Sequence, residues 1–144
     1  MTSRHFSGPP GKRTPLDELL DQLWSILVSC GYALRGFYFT LRSQRNFRIH
    51  TLVGAGVLVL GVAFRFSRVE MVLLILTVSI VMMGELLNTA LELTLNLLEA
   101  RNHPVAKAAK DAAAGGVLLA VVGSVVIGLF LFGSHLLRLL GCGR

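Results

Sequence analysis

Residues 69–99 read VEMVLLILTVSIVMMGELLNTALELTLNLLE, and the two halves of this stretch obey different rules. After Glu70 the first half carries no charge, running through Leu73, Leu74, Ile75 and Leu76 to Ile80-Val81-Met82-Met83. At about 1.5 Å of rise per residue, some 20 such residues cross a ~30 Å hydrocarbon layer. The second half keeps its leucines but adds Glu85, Asn88, Glu92, Asn96 and Glu99. On a helix Asn88, Glu92, Asn96 and Glu99 sit at roughly −60°, −20°, +20° and −40° from Glu85, so all five share one stripe. Leu86, Leu87, Leu91, Leu93, Leu95 and Leu97 cover the rest of the surface. An ionised carboxylate facing hydrocarbon costs several kcal/mol, so such residues face a bundle interior or a wet cavity and mark function. A solvated helix end accounts for Glu99, which lies beside Arg101, but not for Glu85, which follows an unbroken apolar run.

The rest of the chain is built to the same hydropathy. Its 144 residues, enough for one domain, are 53% hydrophobic and only 15% charged. Mean hydropathy is +0.68, whereas a soluble domain carries about 25% charged residues to wet its surface. The net charge of +6 by itself suits nucleic acid or anionic lipid. A soluble nucleic-acid binder gathers its basic residues on a polar face, whereas here long apolar stretches separate the basic clusters, which favours the lipid. Ile49 to Phe66 makes a first span, with Gly54, Gly56 and Gly61 inside it. Residues 69–98 make a second, and 112–137 a third that is uncharged until His135 and Arg138. Gly54 and Gly56, like Ala112-Ala113-Ala114-Gly115-Gly116 with Gly123 and Gly128, suit close helix packing.

Ahead of the spans, residues 1–13 have the composition of a disordered cytoplasmic arm, and no apolar core of a signal peptide occurs in them. Thr14 as N-cap, Pro15 at the first helical position and Asp17 and Glu18 in the first turn open a helix over about 15–45. Leu16, Leu19, Leu20, Leu23, Ile26 and Leu27 recur on it at three and four, with Asp17, Asp21, Gln22 and Ser25 between them, an amphipathic pattern. Phe37, Tyr38 and Phe39 between Arg35 and Arg42 have the chemistry of the headgroup zone, which places this helix on the membrane surface. The expected fold is therefore an all-α integral membrane protein, an amphipathic surface helix followed by three transmembrane helices, all in one domain over 14–144. Arg35, Arg42, Arg45, Arg48, Arg101, Lys107 and Lys110 outnumber Arg65, Arg68, Arg138 and Arg144 on the opposite side, so the N-terminus and the polar end of the second span face the cytoplasm. Cys30 and Cys142 have no partners at zinc or disulfide spacing and read as small apolar residues.

Carboxylates in such a stripe call for a cation, and Mg²⁺, held by one or two carboxylates together with nucleotide phosphates, is the natural one. Lys107, Lys110 and Asp111 open the third span. Lys110 suits phosphate oxygens, while Asp111 reads as a ligand, a base or an N-terminal charge cap. There is no phosphate-binding loop GxxxxGK[ST], no dinucleotide fingerprint and no GxSxG. These residues point to chemistry with a metal and an anionic ligand at the membrane–cytoplasm boundary, without identifying the substrate. An ion-coupled transporter subunit is the alternative from another class, since intramembrane carboxylates suit it too. The Lys110-Asp111 pair separates the two, because a nucleotide needs it and a transported ion does not.

Glu85-Leu86-Leu87-Asn88-Thr89-Ala90-Leu91-Glu92, then His103-Pro104 and Ala106-Lys107-Ala108-Ala109-Lys110-Asp111, resemble the prokaryotic diacylglycerol kinase family, which includes undecaprenol kinases. Gly31-Tyr32, Arg35-Gly36 and Asn46-Phe47-Arg48-Ile49-His50 extend the match, and His-Pro and Arg-Ile-His look more like the undecaprenol kinase branch. The resemblance implies an ATP-dependent lipid kinase of the inner membrane, a homotrimer with sites shared between subunits, moving the γ-phosphate of Mg-ATP to a lipid hydroxyl. It implies Glu85 as the catalytic carboxylate, Asn88 as a site-organising and nucleotide-side residue, and Glu92 as the Mg²⁺ and nucleotide ligand. Lys110 and Asp111 would hold the nucleotide. Two positions depart from the family. Gln44 stands where a glutamate usually supplies a second metal ligand, and Asn96 where the diacylglycerol kinase branch has an aspartate, so each subtracts a negative charge. A degenerate homologue that binds without turnover is the reading these two departures leave open.

Overall fold

The structure, a computed structural model, describes residues 14–98 and 103–139. The expected arm over 1–13, together with Glu99, Arg101 and Cys142, lies outside the described residues. Among the described residues four helices follow one another: α1 Pro15–Ser43, α2 Arg45–Ala63, α3 Arg68–Leu97 and α4 Pro104–Leu139. The chain divides between Tyr38 and Phe39 into two compact units.

The first unit holds most of α1. Its start is the expected one. Thr14 Oγ1 accepts from the Asp17 backbone N–H at 3.3 Å, and the Asp17 carboxylate accepts from the Thr14 N–H at 3.0 Å and the Thr14 hydroxyl at 2.7 Å. This reciprocal box satisfies donors that a helix N-terminus leaves without intrahelical partners. The apolar and polar side chains of residues 15–38 are alike exposed, except for the half-buried Gly31.

In the second unit α3 is the middle element, packed on α2 and on α4. Contacts run in opposite order along each pair, so neighbours are antiparallel. On the α2 side Thr51 meets Met82, Gly54 meets Val78 and Gly61 meets Leu74, whereas on the α4 side Glu92 meets Lys110, Gly84 meets Val117 and Glu70 meets His135. Gly54 and Gly61 give the close approach expected of small residues. Gly56, Gly115, Gly116, Gly123 and Gly128 do not, for a Cβ on any of them would meet nothing within 4 Å.

The α2–α3 turn is tightly specified. Phe66 N–H bonds Gly61 O and Arg65 N–H bonds Val62 O, both at 3.0 Å, a Schellman end in which Arg65 (φ 56°) occupies the left-handed position that glycine usually fills. Ser67 and Glu70 then form a capping box on α3. Phe66 packs on Phe132 and His135 of α4, with ring centroids 4.9 and 4.7 Å apart.

Two boundaries differ materially from the sequence reading. A single extended residue, Gln44 (φ −107°, ψ 119°), separates α1 from α2, so α2 covers 45–63 rather than 49–66. The last helix begins at Pro104 instead of Ala112. Pro104 fits a first helical turn, and Ala106, Ala108 and Ala109 favour helix. Lys107, Lys110 and Asp111 lower the hydropathy without ending the helix, so they lie within it and Asp111 is not an N-terminal cap.

α2, α3 and α4 are long and apolar enough to cross a membrane. Few of their side chains are buried within the chain, chiefly Phe47, Leu74, Val81, Ala106 and Leu131. Leu52, Leu119 and Phe130 are each more than 70% exposed. Apolar area left outside at this scale would cost about 25 cal/mol per Å² in water and nothing comparable in lipid. The surfaces are those of a membrane protein.

Candidate active site

The antiparallel order brings the start of α2, the second half of α3 and the start of α4 to one end of the unit. The stripe on α3 turns inward there. Glu85 and Thr89 are both 3% exposed, Asn88, Glu92 and Asn96 are half-buried, and Leu87, Leu93 and Leu97 face out.

Glu85 is a carboxylate deep in an apolar span, and it has a partner. His50 of α2 places Nε2 3.3 Å from Glu85 Oε1. The Thr89 hydroxyl donates to the Glu85 backbone carbonyl at 2.8 Å, so it is spent on the helix and not on the carboxylate. The residues around His50 on α2 are packed against the rest of the unit. Phe47 is fully buried, and the Thr51 hydroxyl bonds Phe47 O at 2.7 Å and lies 3.9 Å from Met82 Sδ. From His50 an apolar cleft of about 190 Å³ extends between the three helices, past Gly54, Val78 and Val81 to Phe132.

Two turns further along α3, ~10 Å by helix rise, Lys110 Nζ of α4 meets Glu92 Oε1 at 2.9 Å. Both side chains keep over a third of their surface exposed, 43% and 35%. The structure therefore joins Lys110 to Glu92 within one chain and leaves Glu85 separate, paired instead with a residue of α2.

Asp111 follows Lys110 on α4 but is exposed, and among the described residues it makes no ion pair with the stripe. Gln44 occupies the break between α1 and α2, and its side chain does not cap α2. Among the described residues no three His, Cys, Asp or Glu side chains gather as a metal cluster. His50 and Thr89 are the site residues that the reading of the stripe passed over. Thr89 lies on the same face as Glu85. His50 lies roughly as far before the α2–α3 turn as Glu85 lies after it, which in a helical hairpin sets the two side by side.

Known proteins match this sequence over most of the chain. Residues 31–132 match the model of the family described as prokaryotic diacylglycerol kinase. An undecaprenol kinase of Bacillus subtilis is 43% identical over 101 residues, covering 70% of this chain and 82% of that protein. A diacylglycerol kinase of Synechocystis sp. is 41% identical over 121 residues, 83% and 69% of the two chains. A diacylglycerol kinase of Pseudomonas aeruginosa is 39% identical over 101 residues, 67% and 80%. The matched range takes in the α2–α3 turn, the inward stripe and Lys110, and on this ground the chain belongs to the prokaryotic diacylglycerol kinase family and is a membrane lipid kinase.

Proposed function

We propose that this kinase phosphorylates the hydroxyl of undecaprenol, with diacylglycerol as the second acceptor, using Mg-ATP at the cytoplasmic face of the inner membrane. The single observation that carries the site is the placement of Glu85, a buried carboxylate within an apolar span, two turns from a half-exposed Lys110–Glu92 pair. The acceptor approaches through lipid and the donor through water, so the buried carboxylate suits the hydroxyl and the exposed pair suits the phosphates. Arg48-Ile49-His50, His103-Pro104 and the likeness to the Bacillus subtilis undecaprenol kinase support the polyprenol.

In this reading Glu85 takes the proton from the lipid hydroxyl as its oxygen bonds to the γ-phosphorus. The bond from that phosphorus to the bridging oxygen breaks, and ADP leaves with the bonding pair. Phosphoryl transfer asks little more of a protein than positioning and neutralisation of charge. Lys110 releases Glu92 and pairs with phosphate oxygens, Asp111 holds the nucleotide, and Asn88 and Asn96 line the approach between them. Glu92 offers Mg²⁺ a hard and partly exposed oxygen ligand, the Asn88 and Asn96 amide oxygens lie on the same stripe, and Gln44 is a further neutral candidate. One carboxylate with phosphate oxygens and waters fits this ion, which seldom occupies all-protein cages. When bound, Mg²⁺ neutralises charge that develops on the phosphates.

The same reading places the protein as a homotrimer with shared sites. Asp111 does not reach the stripe of its own chain, and Gly115, Gly116 and Gly123 leave room beside α4 for another helix. It also places α1 along the inner leaflet with the N-terminus cytoplasmic, supported by the exposed Phe37, Tyr38 and Phe39 and by the basic residues at the site end. The test is purified protein in mixed micelles with labelled ATP, Mg²⁺ and either undecaprenol or diacylglycerol, beside Glu85→Gln and Glu92→Gln. Labelled lipid is expected with the unaltered chain, reduced about 10²–10⁴-fold in Glu85→Gln, as loss of a general base requires. Labelling in either variant equal to that of the unaltered chain overturns the assignment of that residue.

A further inference from the structure

We infer that His50 is a positioning residue for this reaction, donating its Nε2–H to Glu85 Oε1 so that the carboxylate presents its other oxygen to the lipid hydroxyl. The inference rests on the proposed role of Glu85 and deepens it. A glutamate side chain has three rotatable bonds, and apolar neighbours offer its carboxylate no hydrogen bond to fix which oxygen faces the substrate. His50 Nε2, at 3.3 Å, is the one polar side-chain group that contacts it among the described residues. The hydroxyl of Thr89, on the same helix face, is engaged by the Glu85 backbone carbonyl. Among the described residues His50 is therefore the one side chain that can hold the carboxylate by a hydrogen bond, and it stands on a helix whose Phe47 is buried and whose Thr51 contacts Met82 of α3.

A second observation makes orientation matter here. His50 is also a wall of the apolar cleft that opens between α2, α3 and α4. The imidazole thus touches both the carboxylate and the cleft, and without it the carboxylate is free to turn into the cleft and away from the phosphates. In catalysis by a general base, geometry comes before basicity, and a displacement of about 1 Å is enough to cost on the order of 10²-fold.

Three substitutions test this, with kcat and both KM values measured in mixed micelles. His50→Phe keeps the ring and removes the donor. His50→Asn keeps an amide too short to reach Oε1, and His50→Gln places an amide N–H near the position of Nε2. Expected are kcat values about 10- to 100-fold lower for His50→Phe and His50→Asn, with the KM for ATP and for lipid within about threefold of the unaltered chain. His50→Gln recovers kcat to within about fivefold. A role in packing alone predicts the reverse, since Phe fills the site better than Gln. The inference is overturned if His50→Phe or His50→Asn keeps its kcat, if Gln is as slow as Phe, or if KM rises while kcat holds. Should His50→Phe fail to fold, the contrast between Gln and Asn decides alone. Glu85→Gln separates the two levels of the argument: if it retains full kcat, the role of Glu85 fails and takes this inference with it. If Glu85→Gln is inactive while all three His50 variants are fast, only the positioning role fails.

Discussion

The spacing of α2 and α3 determines whether His50 reaches Glu85, and Gly54 is where that spacing is set. A Cβ placed on Gly54 lies 2.8 Å from Val78 Cγ1 and 3.7 Å from Cγ2, where ordinary contact begins near 3.4 Å. The conflict is with the stiff end of a β-branched side chain, which on a helix has one strongly preferred χ1 and does not rotate away. The helices must part by several tenths of an ångström. Overpacking of this kind costs about 1–3 kcal/mol, and the better helix propensity of alanine returns about 1 kcal/mol. Gly54→Ala is therefore expected to destabilise by about 1 kcal/mol. Gly56→Ala, with nothing within 4 Å, keeps the propensity gain alone, so the two alanine variants should differ by about 2 kcal/mol. Val78→Ala removes the opposing methyls, and the double variant Gly54→Ala/Val78→Ala should show a favourable coupling of about 1–2 kcal/mol. The assay is unfolding by SDS in mixed micelles followed by far-UV circular dichroism, with kcat measured on the same samples. Activity should fall in Gly54→Ala and recover in the double variant. If Gly54→Ala is as stable as Gly56→Ala, or if the coupling is under about 0.5 kcal/mol, the hairpin spacing is not set at this contact.

Three further outcomes are expected. Lys110→Met should cut kcat/KM for ATP by about 100-fold, yet change unfolding stability by less than about 1 kcal/mol, because a pair 43% and 35% exposed contributes little to folding; a large stability loss would mark the pair as structural. Gln44→Glu should lower the Mg²⁺ concentration for half-maximal rate by several-fold, since it restores a charge, whereas an unchanged Mg²⁺ titration removes Gln44 from the metal. Arg65→Gly should raise stability by about 0.5–1 kcal/mol by relieving the left-handed backbone at φ 56°, and a loss would show that the Arg65 side chain holds the turn.

What could be read from the residues followed from how local each signal is. The Thr14 N-cap, set by residue type at a helix start, and the inward stripe from Glu85 to Asn96, set by periodicity, are each properties of one helix, and both appear in the structure. The start of α4 was misplaced because hydropathy measures where lipid begins, not where a helix begins. Pro104 and the alanines after it carry the helical signal through Lys107 and Lys110, and it is this extra length that brings Lys110 to Glu92. Small residues were read as packing surfaces throughout. Within one chain an added Cβ would be crowded at Gly54 and Gly61 of α2, which face α3, and not at Gly56, Gly115, Gly116, Gly123 or Gly128, because a helix's own sequence does not say where a neighbour arrives.

The partnership of His50 and Glu85 is the least local feature of the site, and it depends on the turn between them. Antiparallel packing makes positions equally distant from the turn into neighbours, so the Arg65–Ser67 turn determines which residue of α2 meets each carboxylate of α3. Slipping that turn by one residue would rotate His50 by about 100° off the α3 face and leave a buried carboxylate with an apolar neighbour. The Schellman end at Arg65 and the capping box at Ser67 thus do more than close a loop. They hold the hairpin in the register that sets His50 beside Glu85. Glu92, a further ~10 Å along the same helix face, is half-exposed. In the proposed function this gradient of exposure along α3 suits one helix to a substrate dissolved in lipid and another dissolved in water.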